Sequence, residues 1–180
     1  MNYLFFDIEC ANCYNGKGQI YSFGYTLTDH NFNVIIPNTD MLMNPNCKFD
    51  FYVKKHILAY DVNFVKSHPD FKQRYPFIKQ LMCDENTVCF GYGIENDKGF
   101  LKHDCKRYDL PLINAKIYDV QKILTLALSR PARKLEIEYT ELIGEEDGAH
   151  RSDIDAMRTM KIAKYIFETS GKKIHEFFEE

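Results

Sequence analysis

Two carboxylates one residue apart, Asp7 and Glu9, stand in the apolar run Tyr3–Asn12, YLFFDIECAN. Along an extended strand alternate side chains share a face, so both acids project to one side while Leu4, Phe6 and Ile8 go to the other. Anions crowded in this way hold a proton or take a cation, and carboxylate oxygens suit hard divalent ions such as Mg2+. A strand that merely ends in solvated acids would carry the same residues. Two further acids fall where elements begin: Asp97 in GYGIENDKGFL, opening a helix after a buried strand, and Asp155 in GAHRSDIDAMRTMKIAKY, opening the last long helix. Each also has an ordinary use, since Asn96 or Asp97 would cap a helix and Ser152-x-x-Asp155 fits a capping box. His150, in a Gly-bearing polar segment before Asp155, is the residue type that titrates near neutrality.

The elements that must position these groups follow from periodicity. Gly18–Thr28 alternates Tyr21, Phe23, Tyr25 and Leu27 with smaller residues, a strand pattern; TDHN turns the chain, and Phe32–Pro37 returns with Phe32, Val34 and Ile36 on one face. The first three strands therefore form an antiparallel meander. Asn44–Asp50 reads as loop and Phe51–Asp70 as broken helix; Phe71–Cys83 carries Phe71, Tyr75, Ile78 and Met82 at helical spacing. Thr87–Gly91 is a short buried strand, followed by a helix from Asp97 to Tyr108 and a strand at Leu112–Tyr118. Helices follow at Asp119–Ser129, stopped by Arg130-Pro131, at Leu135–Ile143, stopped at Gly144, at Asp153–Glu168, and over a short Lys173–Phe178. A hairpin meander followed by βα units predicts an α/β fold with a mixed sheet covered by helices. No repeat or linker interrupts the pattern, so residues 1–180 are expected to form one domain.

Composition narrows the class. At 180 residues, 45% hydrophobic and 27% charged, the chain can bury a full core. It shows no leader pattern and no apolar run long enough to span a membrane, so a cytoplasmic address is expected. Its six cysteines are scattered rather than arranged as a disulfide framework. A net charge of −3 supplies no broad basic surface, so any nucleic-acid contact must be local. Most of the 14 Phe and 12 Tyr must be core, although aromatic rings also stack on bases.

Taken together and in order, the motifs resemble those of the DEDDh 3′-to-5′ exonucleases, a DnaQ-like family with a ribonuclease-H-like fold. FFDIECAN is similar to the first motif, FGYGIENDKGFL to the second and AHRSDIDAMRT to the third. Asn44-Pro45 resembles a short polar loop of the family, and KLEIEYTELIGEEDGAH the helix and acidic loop before the last motif. The resemblance implies a five-stranded mixed sheet and a phosphodiester hydrolase releasing nucleoside monophosphates from 3′ ends of single-stranded DNA or RNA, or from short oligonucleotides. It implies that Asp7, Glu9, Asp97 and Asp155 hold two divalent ions, Mg2+ or Mn2+, and that His150 is the general base. Ile8, Cys10, Ala11 and Arg151 become candidate substrate contacts. The chain departs from the pattern at Gly91-Tyr92-Gly93, where Gly-His-Asn is common, at Asn96, where an aromatic is common, and at Cys10-Ala11, where threonines are common. These departures bear on the groups around the ligands and on substrate preference. A polymerase subunit and a homodimer are both open as assemblies. Two other readings are kept: a noncatalytic binding module of the same fold, and a redox or zinc role for Cys10-x-x-Cys13.

Overall fold

The computed structural model describes residues 1–14, 17–144, 151–172 and 177. The expected terminal helix at Lys173–Phe178 lies almost entirely outside them. Five strands, β1 (Asn2–Tyr14), β2 (Lys17–Asp29), β3 (Val34–Leu42), β4 (Thr87–Gly91) and β5 (Ile117–Asp119), form one sheet in the order β3-β2-β1-β4-β5. β1 runs antiparallel to β2, as does β2 to β3, while β4 is parallel to β1 and to β5. The sheet is thus the expected mixed one. Seven helices are described: α1 (Phe51–His56), α2 (Val62–Lys66), α3 (Phe71–Cys83), α4 (Glu95–Arg107), α5 (Val120–Leu128), α6 (Leu135–Ile143) and α7 (Ser152–Ser170).

The alternation of β1 decides what lies on each face. Leu4, Phe6, Ile8 and Cys10 join Phe23, Tyr25 and Leu27 of β2 in a core closed by α3 and α4. Tyr3 and Phe5 point the other way, into a core shared with α5 and α7. Asp7 and Glu9 have the same parity as Tyr3 and Phe5, so they face α7. On β2 the partners of that face are small: Gly24 opposite Asp7 and Ser22 opposite Glu9. The reason is steric. A Cβ on Gly24 would lie 2.0 Å from the carbonyl carbon of Ser152, so the first turn of α7 rests directly on the strand. That flush contact brings Asp155 down to the sheet.

α4 is fixed just as firmly. Asp104, with no exposed surface, accepts a 3.0 Å hydrogen bond from the Ile20 backbone N–H and pairs with Arg107 at 2.9 Å. This pins the helix to β2 and sets where its first turn, with Asp97, meets the end of β4. On the opposite flank Glu138 of α6, also fully buried, takes Arg130 at 2.7 Å and Arg133 at 3.0 Å, tying the α5–α6 connection to the helix that packs on α7.

The boundaries differ from expectation in three places. β3 does not stop at Pro37: the pairing resumes from Leu27↔Ile36 to Tyr25↔Thr39, and the strand runs on to Leu42. An edge strand tolerates proline because its outward N–H has no ladder partner to lose. Phe32 precedes the strand at φ 62° and folds back onto Tyr3 and Phe5, while Val34 is exposed, so the two do not share a buried face. β5 is only Ile117–Asp119, because β4 offers pairing to those three residues alone.

Candidate active site

The middle of β1, just beyond its pairing with β4, and the first turns of α4 and α7 converge. Asp7, Glu9 and Asp155 each place a carboxylate oxygen within 4.8 Å of the other two. Asp97, 6% exposed in the first turn of α4, adds a fourth acid close enough to act on Asp7. Neither ordinary use for the helix acids is realised. The N-cap of α4 is Ile94 and that of α7 is Arg151, neither with a side-chain cap bond, and Ser152 is the first residue of its helix rather than a cap. Neither Asp97 nor Asp155 is therefore explained by a cap.

Electrostatics record the crowding. Burial, with the charges of Asp97, Glu9 and Asp155, pushes the Asp7 carboxyl well above the carboxylate range. Glu9 is pushed up to about 8, by burial first and then by Asp155, Asp97 and Asp40. Burial pushes Asp97 up to about 7, against hydrogen bonds from its own backbone and from Ile8. Asp155 is met by Arg158, one turn on and 5% exposed, whose Nη1 donates to Oδ1 at 2.8 Å. The guanidinium also lies over the Tyr139 ring, 5.6 Å from its centroid. The set is a compact group of hard oxygen donors with excess negative charge, which fits divalent cations.

A second layer comes from β3. Asp40 accepts from the hydroxyls of Tyr60 at 2.5 Å and Ser152 at 3.2 Å, and from Ser22; Ser22 and Ser152 also bond to each other. Buried Asp153 receives a forked bond from Arg151, at 3.0 and 2.9 Å, and a third bond from Asn38 at 3.1 Å. The Arg151 guanidinium stands over the Tyr60 ring at 5.6 Å. Sequence reasoning missed Asn38 and Asp40 because it ended the third strand at Pro37, and Tyr60, between α1 and α2, because only its bond to Asp40 brings it to the site. It missed Arg158 too; the available signal was helical spacing, one turn beyond Asp155.

Among the candidate substrate contacts, Ile8 and Cys10 are 5% and 7% exposed on the core face, and Ala11 has no exposed surface. Ile8 and Cys10 thus lie in the core on the face opposite the acids, and Ala11 in the small core beneath α1 and α2, so none of the three offers an exposed side chain to a substrate. Arg151 is near the acids but engaged with Asp153. Cys10 and Cys13 are free thiols, one buried and one exposed, and burial and the neighbouring acids push the Cys10 thiol well above its ordinary range. A strand carries both, so the strand-to-helix setting of a redox pair is missing. His150 lies outside the described residues.

A family model for exonucleases, RNase_T, matches residues 4–163. No curated protein matches the chain. Among solved structures, the zinc-bound form of an E. coli exonuclease I complex with single-stranded DNA aligns with TM-score 0.81 and 18% identity, over 98% of this chain and 42% of that one. E. coli exonuclease I with a dA16 oligonucleotide gives 0.79 and 18%, over 98% and 43%. A 3′-exonuclease recognising the 3′ end of a histone mRNA stem-loop gives 0.77 and 17%, over 93% and 64%. The chain spans less than half the length of the exonuclease I chains it matches. At these identities the likeness shows the fold, a ribonuclease-H-like exonuclease sheet.

Proposed function

The chain belongs to the RNase_T exonuclease family, and on that premise we propose that residues 1–180 act as a DEDDh-type 3′-to-5′ exonuclease domain on single-stranded DNA or RNA, releasing nucleoside monophosphates. The observation that carries the proposal is the convergence of Asp7, Glu9 and Asp155 within 4.8 Å, with Asp97 beside them and no helix cap to account for either helix acid. The four carboxylates would hold two divalent ions, Mg2+ or Mn2+, which supply, when bound, an acidified water and a stabilised 3′ leaving oxygen. The residues of the chain do the remainder. Asp7 and Glu9 are fixed by the strand and Asp155 by the seat of α7 on Gly24, so the donors need little rearrangement on loading. Arg158 orients Asp155 through Oδ1. His150, five residues before Asp155 in sequence, would take the proton of the attacking water, the task of a group titrating near neutrality. The backbone at Cys10–Ala11, rather than the buried side chains, would meet the terminal nucleotide.

Digestion of 5′-labelled single-stranded DNA and RNA of one sequence, with Mg2+, Mn2+ or EDTA, tests this. The expected result is a metal-dependent ladder shortening from the 3′ end, abolished by Asp7→Ala, with the preferred sugar read directly. A ladder that persists at full rate in Asp7→Ala refutes the assignment of the site. Binding of either strand without cleavage under any metal would favour a noncatalytic module.

A further inference from the structure

The two short helices after β3 are built in an unusual way. α1 and α2 each bury one valine, Val53 and Val65, on a small core with Ala11, Tyr21, Leu42 and Phe49. Their large rings face outward: Phe51 is 72% exposed, Tyr52 62% and Phe64 51%. Exposed rings of this size are scattered singly on most surfaces, and three within fourteen residues call for a partner. Cations accompany them. Residues 51–68 contain Lys54, Lys55 and Lys66 against Asp61 alone, with His56 and His68, in a chain whose net charge is −3. The exposed rings meet these side chains: Lys55 Nζ lies 6.0 Å from the Phe51 centroid, Tyr52 stands 4.7 Å from the His56 ring, and Phe64 4.8 Å from that of His68.

This surface is continuous with the acidic site. The Asp50 N–H, at the cap of α1, donates to the Ala11 carbonyl of β1 at 2.8 Å. Tyr60, between the helices, bonds Asp40 and lies 6.2 Å from the Phe64 ring. Aromatic faces set among cations, leading from a cluster of carboxylates, match the chemistry of an unpaired polynucleotide, whose bases stack and whose phosphates are anionic. In a 3′-to-5′ exonuclease only the terminal nucleotide lies beyond the scissile bond, so an extended surface must serve the nucleotides on its 5′ side. Resting on the function proposed above, we infer that the exposed face of α1–α2 is a base-stacking track for the unpaired nucleotides 5′ of the scissile phosphate.

The test is equilibrium anisotropy of labelled single-stranded DNA in EDTA, with Phe51→Ala, Tyr52→Ala and Phe64→Ala, and Lys54→Glu/Lys55→Glu as a variant that keeps every ring. Each ring removed should weaken binding roughly 5- to 150-fold, the range of one lost base stack, and charge reversal should weaken it and flatten its salt dependence. Phe77→Ala, which removes an exposed ring at the far end of the sheet, should bind as wild type does. Hydrolysis of the p-nitrophenyl ester of thymidine 5′-monophosphate, which has no 5′ nucleotide, should change far less than hydrolysis of polymer. Ring variants that bind polymer like wild type overturn the track. Unchanged binding with altered self-association in sedimentation assigns the surface to a protein contact and overturns it equally. If the wild type cleaves neither ester nor polymer, the exonuclease proposal fails, and anisotropy still decides whether the rings hold nucleic acid.

Discussion

Replacing Asp97 by Asn should stabilise the metal-free protein and remove most of its response to metal. Asp97 is 6% exposed and its carboxyl is pushed up to about 7 from 3.8, with burial the largest cause. A folded state that holds this proton while the unfolded chain has released it loses stability as pH rises between those two values. Each tenfold step in proton affinity is about 1.4 kcal/mol, so the ceiling at neutral pH and above is ~4 kcal/mol. Counter-ions reach the solvent-open mouth formed by half-buried Asp7 and Glu9, and about half, ~2 kcal/mol, is the working expectation. For a chain of this size that corresponds to a rise in Tm of ~4–8 °C. Asn keeps an oxygen to accept from Ile8. The assay is thermal unfolding in EDTA across pH, then with Mn2+. The advantage of Asp97→Asn should be full above about pH 7 and vanish below about pH 4, where both states of the wild type are protonated. Mn2+ should raise the Tm of the wild type and barely move that of the variant. A variant no more stable than wild type at about pH 8 without metal, or one whose advantage grows toward acid, would refute the crowding argument.

Arg158→Met should cost the metal-free protein about 2–3 kcal/mol, by removing a charge-assisted bond to Asp155, and should enlarge the Tm gain on adding Mn2+; an unchanged gain would separate Arg158 from the site. Glu138→Gln should cost ~3 kcal/mol near neutrality, because Arg130 and Arg133 lose a fully buried anion. Those arginines hold the Glu138 carboxyl far below its ordinary range, so the contribution is present above that range and lost as pH falls below it; urea midpoints of wild type and variant should converge in acid. His150→Ala should lower the rate of nucleotide release and alter its pH profile while the Mn2+-induced Tm shift persists; unchanged kinetics would remove His150 as the base.

Much of this architecture was legible because β1 alternates cleanly as far as Glu9 and β2 from Ser22 onward, before the irregularity that sends Tyr21 to a different core. The parity of Leu4, Phe6 and Ile8 against Asp7 and Glu9 gave the facing of the acids, and the small residues between Tyr21, Phe23, Tyr25 and Leu27 marked the face that α7 covers. Asp40 stayed hidden because Asn38, Thr39 and Asp40 are polar and follow a proline, a local pattern of turn; only pairing with β2 makes them strand. Ser152 matched a capping box in sequence, yet its hydroxyl is drawn to Ser22 and Asp40 across the contact with the sheet. Of the strand expected at Leu112–Tyr118 only Ile117 and Tyr118 pair, and Asp119, expected to open the next helix, completes the strand, because β4 pairs with those three residues alone. Local pattern determines what an element can be, and the available partner determines how far it extends.

The seat of α7 on Gly24 also acts as a size gauge. Asp155 rides on the helix and Asp7 and Glu9 on the sheet, so the gap that Gly24 permits sets the spacing of their oxygens, and with it the span across which, on the proposed function, they would share an ion. Mg2+ demands oxygens at about 2.0–2.1 Å in near-ideal octahedral order, whereas Ca2+ accepts about 2.3–2.6 Å and looser geometry. Gly24→Ala, which must lift the helix, should therefore abolish Mg2+ binding first and spare Ca2+ longest, as titration calorimetry with each ion would record. A residue with no donor atom would then be the one that selects the cation's radius.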